Sequence, residues 1–286
     1  MYVVTGATGN TGSIVAKRLL ASGKRVRLIV RKPEKVSALA AQGAEVVIAD
    51  LNDQTALTEA LRGADGLYYL SPPDPTSESF LAERKQLTER IAGSIARAGV
   101  KHVVLLSSIG ADQAEGTGPI ISTRNAELQL RAAGVPSTFV RAAYFIENWA
   151  TVLPAAKQDG VLPAFFPADL RIPMVATRDI GEVAAQALLD GPRGVRVIEL
   201  SGPEDPSPND VARSVSQLLG RSVSVAEAPL EAVVPTFKNL GCSSDFAELY
   251  RELFACIRSG RLAWEGRGET IRGTTTVAAA LEPLLR

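Results

Sequence analysis

The chain predicts a doubly wound α/β protein. Short β-branched runs alternate with amphipathic stretches through its first half, the best of those runs are continuously apolar, and 286 residues leave room for a second lobe. Strands are expected near 2–5, 25–30, 44–49, 65–70, 102–107 and 137–141, with helices between them near 11–22, 34–42, 54–62, 78–99 and 121–133. Glycine-bearing turns at Ser22-Gly23, Gln42-Gly43 and Ala98-Gly99 close several of these helices. Val46-Val47-Ile48-Ala49 and Val103-Val104-Leu105-Leu106 read as strands buried on both faces, as a parallel sheet requires. Right-handed crossovers then place the loops beginning near Thr5, Arg31, Asp50, Leu70, Ser107 and Arg141 along one groove beyond the carboxyl ends of the strands.

After residue 150 the alternation breaks, and prolines at 154, 163, 167, 173, 203, 206, 208, 229 and 235 punctuate shorter elements. The expected division is a cofactor-binding domain over 1–150, rejoined by a helix and strand over 178–202, and a smaller C-terminal α+β lobe interleaved within 151–286. Further helices are expected near 207–219, 243–259 and 274–284.

The first strand runs directly into Gly6-Ala7-Thr8-Gly9-Asn10-Thr11-Gly12, followed by helical spacing of Ile14, Val15, Leu19 and Leu20. In that context the glycines have separate tasks. Gly6 permits a tight turn, Gly9 lets the backbone approach a pyrophosphate, and Gly12 lets helix and sheet pack closely, while the helix N-terminus supplies amide donors. The expectation is a Rossmann-type dinucleotide site using Gly6, Thr8, Gly9, Asn10, Thr11 and Gly12. A dinucleotide site that prefers NAD(H) places an acid at the end of the second strand. This chain has Arg31 and Lys32 there, with Lys35 one turn on. A 2′-phosphate suits a guanidinium, so NADP(H) is expected over NAD(H), with Arg31 and Lys35 as its ligands. Lys32 and Lys35 also fit an ordinary solvated helix start.

The glycine spacing, Val4-Thr5-Gly6-Ala7-Thr8-Gly9-Asn10-Thr11-Gly12, resembles the opening of the NmrA-like branch of atypical short-chain dehydrogenases/reductases. Arg31-Lys32-Pro33-Glu34-Lys35, Ala49-Asp50-Leu51, Arg131-Ala132-Ala133-Gly134-Val135-Pro136, Arg141-Ala142-Ala143-Tyr144-Phe145-Ile146-Glu147-Asn148 and Ser201-Gly202-Pro203-Glu204 are similar to that branch as well. The resemblance implies that Asp50 and Leu51 flank the adenine and that Leu70, Ser71 and Pro72 follow the cofactor toward the nicotinamide. Asp50 read without the resemblance is an N-cap in a turn.

The proton-transfer pair of most short-chain dehydrogenases, a tyrosine followed four residues later by lysine, is absent. The residue at the position where NmrA-like relatives often carry a lysine or histidine is Thr123. Two function classes follow. One is an NADPH-dependent reductase of a quinone, azo compound or imine that takes a hydride with its proton from water. The other is a protein that senses NADP(H) and reports it to a protein partner. Groups expected around the nicotinamide are Ser107 and Ser108 after the fifth strand and Tyr144, Glu147 and Asn148 after the sixth. Ser108 and Tyr144 are the candidate catalytic residues, and Ser107 and Tyr144 candidate cofactor contacts. Phe165, Phe166, Met174, Phe237 and Trp264 are candidate contacts to an apolar or aromatic small-molecule substrate, though each also fits a core.

Lysine plus arginine balance aspartate plus glutamate at 31 each, with no basic concentration, so a nucleic-acid partner is not expected. The absence of a leader-like start and of a long apolar run makes a cytoplasmic location, without membrane association, the default expectation. Cys242 and Cys256 read as reduced thiols in or near a core. His102, the single histidine, starts a predicted strand at the end away from the groove, so neither a Ser-His-Asp triad nor a multi-histidine metal site is expected.

Overall fold

A computed structural model describes residues 1–286. The first half alternates strand and helix: β1 (Tyr2–Thr5), α1 (Asn10–Ala21), β2 (Val26–Val30), α2 (Ser37–Ala40), β3 (Glu45–Ile48), α3 (Gln54–Leu61), β4 (Gly66–Tyr69), α4 (Phe80–Ala98), β5 (Val103–Ser108), α5 (Ile120–Ala132) and β6 (Ser137–Ala142). Next come β7 (Tyr144–Phe145), α6 (Leu153–Asp159), β8 (Val161–Ala164), β9 (Met174–Val175), α7 (Thr177–Asp190) and β10 (Val195–Ser201). The chain ends with α8 (Pro208–Leu219), β11 (Ser224–Glu227), α9 (Val233–Asn239), α10 (Ser244–Arg258), β12 (Glu269–Arg272) and α11 (Val277–Leu285). No helix is long and apolar enough to cross a membrane.

Eight parallel strands form one sheet in the order β12-β10-β6-β5-β4-β1-β2-β3. Successive residues of a strand serve opposite faces. Val4 and Tyr68 pack with Val15 and Leu19 of α1 and Ile180 and Leu188 of α7. Val3 and Tyr69 pack with Leu57 of α3, Ile91 of α4 and Leu130 of α5. Gly181 lets α7 lie against α1, because a Cβ there would meet the Ile14 side chain at 2.6 Å. The strand order reverses between β1 and β4, which opens a crevice at their carboxyl ends.

The second lobe has its own core around Trp149, Leu162, Phe166, Val211, Phe254 and Leu281. Two short parallel pairs, β8 with β11 and β7 with β9, stiffen it. Its helix α10 is bound to the loop after β4: the Ser243 amide donates to Pro75 O at 2.8 Å and Asp245 accepts from the Phe80 amide at 2.9 Å.

Three local expectations differ. The helix expected over 34–42 is a 3-10 turn over Pro33–Val36 followed by one turn of α-helix. β12, within the span expected for the second lobe, pairs with β10 as the sheet's outermost strand. Val46-Val47-Ile48, expected to be buried on both faces, forms the edge strand β3, with Ile48 66% exposed. Cys242, half-buried before α10, and Cys256, buried within it, are free thiols.

His102 precedes β5 at the end of the sheet away from the crevice, 1% exposed. Its Nε2 lies 3.0 Å from the Thr138 hydroxyl and its Nδ1 has no partner. Burial lowers its pKa from 6.5 to about 4. The unfolded chain therefore takes up a proton that the folded chain refuses between those values, and stability falls as pH drops from 6.5 to 4. Chemical denaturation is expected to show a loss of up to about 3 kcal/mol across that window, absent in His102→Gln.

Candidate functional site

The glycine turn is built as its spacing requires. Gly6 has φ of 65°, and a Cβ on it would lie 2.8 Å from Leu70 Cδ2. A Cβ on Gly12 would overlap the Gly6 carbonyl oxygen, so Gly12 lets α1 start hard against the turn. Gly9 occupies the N-cap of α1, and no side chain caps that helix. The first-turn amides and the positive end of the helix are left for a ligand. Gly12→Ala is expected to destabilise the fold by about 1–3 kcal/mol and to weaken dinucleotide binding, read by thermal melts with and without NADPH.

A cleft of about 610 Å³ opens at the strand-order reversal, lined by Gly6, Thr8, Arg31, Lys32, Lys35, Asp50, Leu51 and Pro72 among others. Arg31, Lys32 and Lys35 are exposed. Other basic residues nearby are engaged, as Arg27 with Glu45 at 2.9 Å and Arg84 with Pro72 O at 3.1 Å, but these three make no ion pair. Asp50 does not cap a helix. It folds back on its own turn, accepting from the Asn52 amide at 2.8 Å and side chain at 3.0 Å. Those bonds, reinforced by the nearby Arg31 charge, hold its carboxyl below the usual range. Asp53, not Asp50, caps α3.

Several expected cofactor residues sit beside this cleft rather than on its walls. Leu70 packs against the Gly6 turn. Ser71 is half-buried, with a buried hydroxyl that has no partner. Thr11 is buried, its hydroxyl accepting from Tyr68 at 2.8 Å and keeping its own proton. Asn10 is exposed at the start of α1. Arg84, which belongs to no sequence motif, also lines the cleft, with its buried Nε unpartnered.

Ser107 and Ser108 end β5, and Tyr144 follows β6. The Ser107 hydroxyl donates to Glu127 Oε1 at 2.6 Å, which commits its proton and leaves its lone pairs. Glu127, on α5 one turn after Thr123, is also gripped bidentately by Arg141, Nε at 2.9 Å and Nη2 at 2.8 Å. Arg141 reaches Glu265 at 2.6 Å as well. Thr123 donates to the Ile120 carbonyl at 2.8 Å. Ser108 donates to Ile109 O at 3.0 Å. Burial raises the Tyr144 pKa, so its hydroxyl keeps its proton and is a poor acid. Its ring meets Phe166 edge to face at 6.0 Å. Glu147 accepts from the Thr177 amide and hydroxyl, at 2.9 and 2.6 Å, and so anchors the start of α7. Asn148 is exposed.

Beyond β5 and β6 lies a smaller cavity of about 130 Å³ that Tyr144 helps to line. None of Phe165, Phe166, Met174, Phe237 and Trp264 lines it. The three phenylalanines stack with Phe254, Met174 is fully buried, and Trp264 packs against the main sheet's core. Their apolarity builds the core, and the cavity walls come from Leu170, Ile172, Pro173, Ile257 and Leu262 instead. The proline-punctuated run before β9 was the sequence signal for an irregular wall.

The NmrA-like family model matches residues 2–255. A (4-alkanoyl-5-oxo-2,5-dihydrofuran-3-yl)methyl phosphate reductase of Streptomyces griseus is 34% identical over 233 residues, 81% of this chain and 78% of that protein. An NAD(P)H azoreductase of Xenophilus azovorans is 27% identical over 258 residues, 89% of this chain and 86% of that protein. Among solved structures, an NADPH-dependent quinone oxidoreductase from Escherichia coli, complexed with NADPH, superposes with a TM-score of 0.78 at 26% identity, covering 100% of both chains.

Proposed function

This chain belongs to the NmrA-like family, and from that premise we propose that it is an NADPH-dependent oxidoreductase that reduces a small, electron-poor acceptor. The observation that carries the reading is the cleft in which the glycine turn, the uncapped start of α1 and three unpaired cations converge. The turn at Gly6–Gly12 holds the pyrophosphate on backbone amides. Arg31, with Lys35 beside it, takes the adenosine 2′-phosphate and so favours NADP(H) over NAD(H). Asp50 and Leu51 flank the adenine, and Leu70, Ser71 and Pro72 shape the path to the second site. Residues 1–150, 178–202 and 269–272 form the cofactor half and the remainder the substrate lobe.

When bound, the reduced nicotinamide supplies a hydride to an electrophilic carbon of the acceptor, whose displaced π electrons move to oxygen, and water supplies the balancing proton. The chain's own residues position and exclude. Glu127 and Arg141 hold Ser107 so that its oxygen accepts rather than donates, Ser108 precedes Ile109, which lines the substrate cavity, and Tyr144 walls that cavity with a hydroxyl that retains its proton. Without a protein acid, the acceptor has to carry negative charge well, as quinones do and as the acyl-substituted unsaturated lactone in the Streptomyces relative's name does. The test is nicotinamide absorbance during incubation of NADPH with 1,4-benzoquinone or an α-acyl butenolide. One NADPH consumed per acceptor is expected; tight NADPH binding without consumption by either would overturn the proposal.

A further inference from the structure

The cavity beyond β5 and β6 has a volume of about 130 Å³, with apolar walls from Ile109, Leu170, Ile172, Ile257 and Leu262 and the Tyr144 ring. An apolar cavity of roughly this size holds one benzene ring. Two fused rings or a branched dye exceed it. Among its lining residues only Arg171 is charged.

Arg171 also borders a second, polar cleft of about 610 Å³, lined as well by Ser207, Asn209, Arg213 and two carboxylates, Asp210 and Asp169, the latter accepting from the Asn209 side chain at 2.8 Å. Its own bonds are weak. It reaches Asp205 O at 3.1 Å and Asp210 at 3.5 Å with a side chain 68% exposed. Asp210 is already held at closer range by the Ser207 amide and hydroxyl, both at 3.0 Å, and by Arg213 at 2.8 Å. An exposed ion pair of that geometry contributes little, so Arg171 can exchange it for a ligand's oxyanion. Arg171 lines both the one-ring cavity and the polar cleft, and such a residue suits a molecule with one apolar end and one anionic end.

We propose that this site, on the reductase reading above, takes a single-ring conjugated acceptor bearing one oxyanion substituent. The ring fills the cavity and the oxyanion lies on Arg171. Specificity then comes from ring size and from Arg171.

Calorimetric binding to protein saturated with NADP⁺, which keeps phosphate probes off the cofactor cleft, separates the two terms. Benzyl phosphate is expected to bind at least about tenfold tighter than benzyl alcohol, and 2-naphthylmethyl phosphate at least about tenfold weaker than benzyl phosphate. Arg171→Met should erase the phosphate preference and keep the size preference, with an unchanged melting temperature because the side chain is exposed. Equal binding of benzyl phosphate and benzyl alcohol, an undiminished phosphate preference in Arg171→Met, or equal binding of the naphthyl probe would each overturn the proposal. In turnover, an α-acyl butenolide with a phosphomethyl group should show a KM about tenfold below its hydroxymethyl counterpart, and Arg171→Met should close that gap. If neither butenolide is reduced while the calorimetric preferences hold, the reductase reading fails and the ligand chemistry stands. If both are reduced with equal KM, the reverse applies.

Discussion

Glu127→Ala is expected to lower stability by about 3–5 kcal/mol, the largest single-residue effect outside the hydrophobic core. The Glu127 side chain is 4% exposed and that of Arg141 5%. The carboxylate accepts from Ser107 and twice from Arg141, and its removal leaves a buried guanidinium with Glu265 at 2.6 Å and the more distant Asp112 at 3.9 Å as its counter-ions. Urea unfolding reads the loss. The double variant Glu127→Leu with Arg141→Met removes both charges and should recover most of it, because two apolar side chains carry no desolvation cost there. A single-variant loss under about 1 kcal/mol would mean that solvent or Glu265 satisfies Arg141, and that Ser107 is not held as described.

Arg31→Glu is expected to raise the NADPH Kd by at least about 30-fold while changing the NADH Kd less than about threefold. The residue is exposed, directly follows β2 on the cleft wall and has no ion-pair partner to lose. Its replacement therefore acts on the ligand rather than on the fold, and the new carboxylate would repel a 2′-phosphate and accept from a 2′-hydroxyl. Fluorescence titration of the two cofactors measures the ratio. Equal loss of both would place Arg31 on a part common to them, and loss of neither would remove it from the site.

What could be read in the sequence was local. The turn at Gly6–Gly12 was legible because three glycines, a strand and a helix start lie within one short segment, and Val103-Val104-Leu105 was legible because a strand buried on both faces must be apolar throughout. The strand β12 was not. It lies at the sheet edge, and Glu269-Thr270-Ile271-Arg272 carries one apolar residue, which periodicity cannot separate from a loop. β8 escaped for a related reason: Pro163 within it argues against a strand, and its parallel pair with β11 tolerates the proline. α2 shortened because Pro33 starts a 3-10 turn that leaves a single α-helical turn before Ala41.

The site followed the same division. The cleft wall at Arg31 and Asp50 comes from loops that directly follow strands, which topology alone places together. Glu265 meets Arg141 across 124 residues of sequence, and the small cavity joins Ile109 to Arg171 and Leu262. No spacing rule connects such segments. The aromatic residues expected around the substrate were assigned by type, and their type served the core equally well.

Deuterium transfer from NADPH labelled at the transferable nicotinamide position, with an α-acyl butenolide as acceptor and the product read by mass spectrometry and NMR, separates reduction from cofactor binding alone. One deuterium is expected at the carbon β to the two carbonyl groups, with the proton at the neighbouring carbon drawn from solvent. Reduced product without cofactor deuterium at that carbon, or bound NADPH that is never consumed, would contradict that transfer.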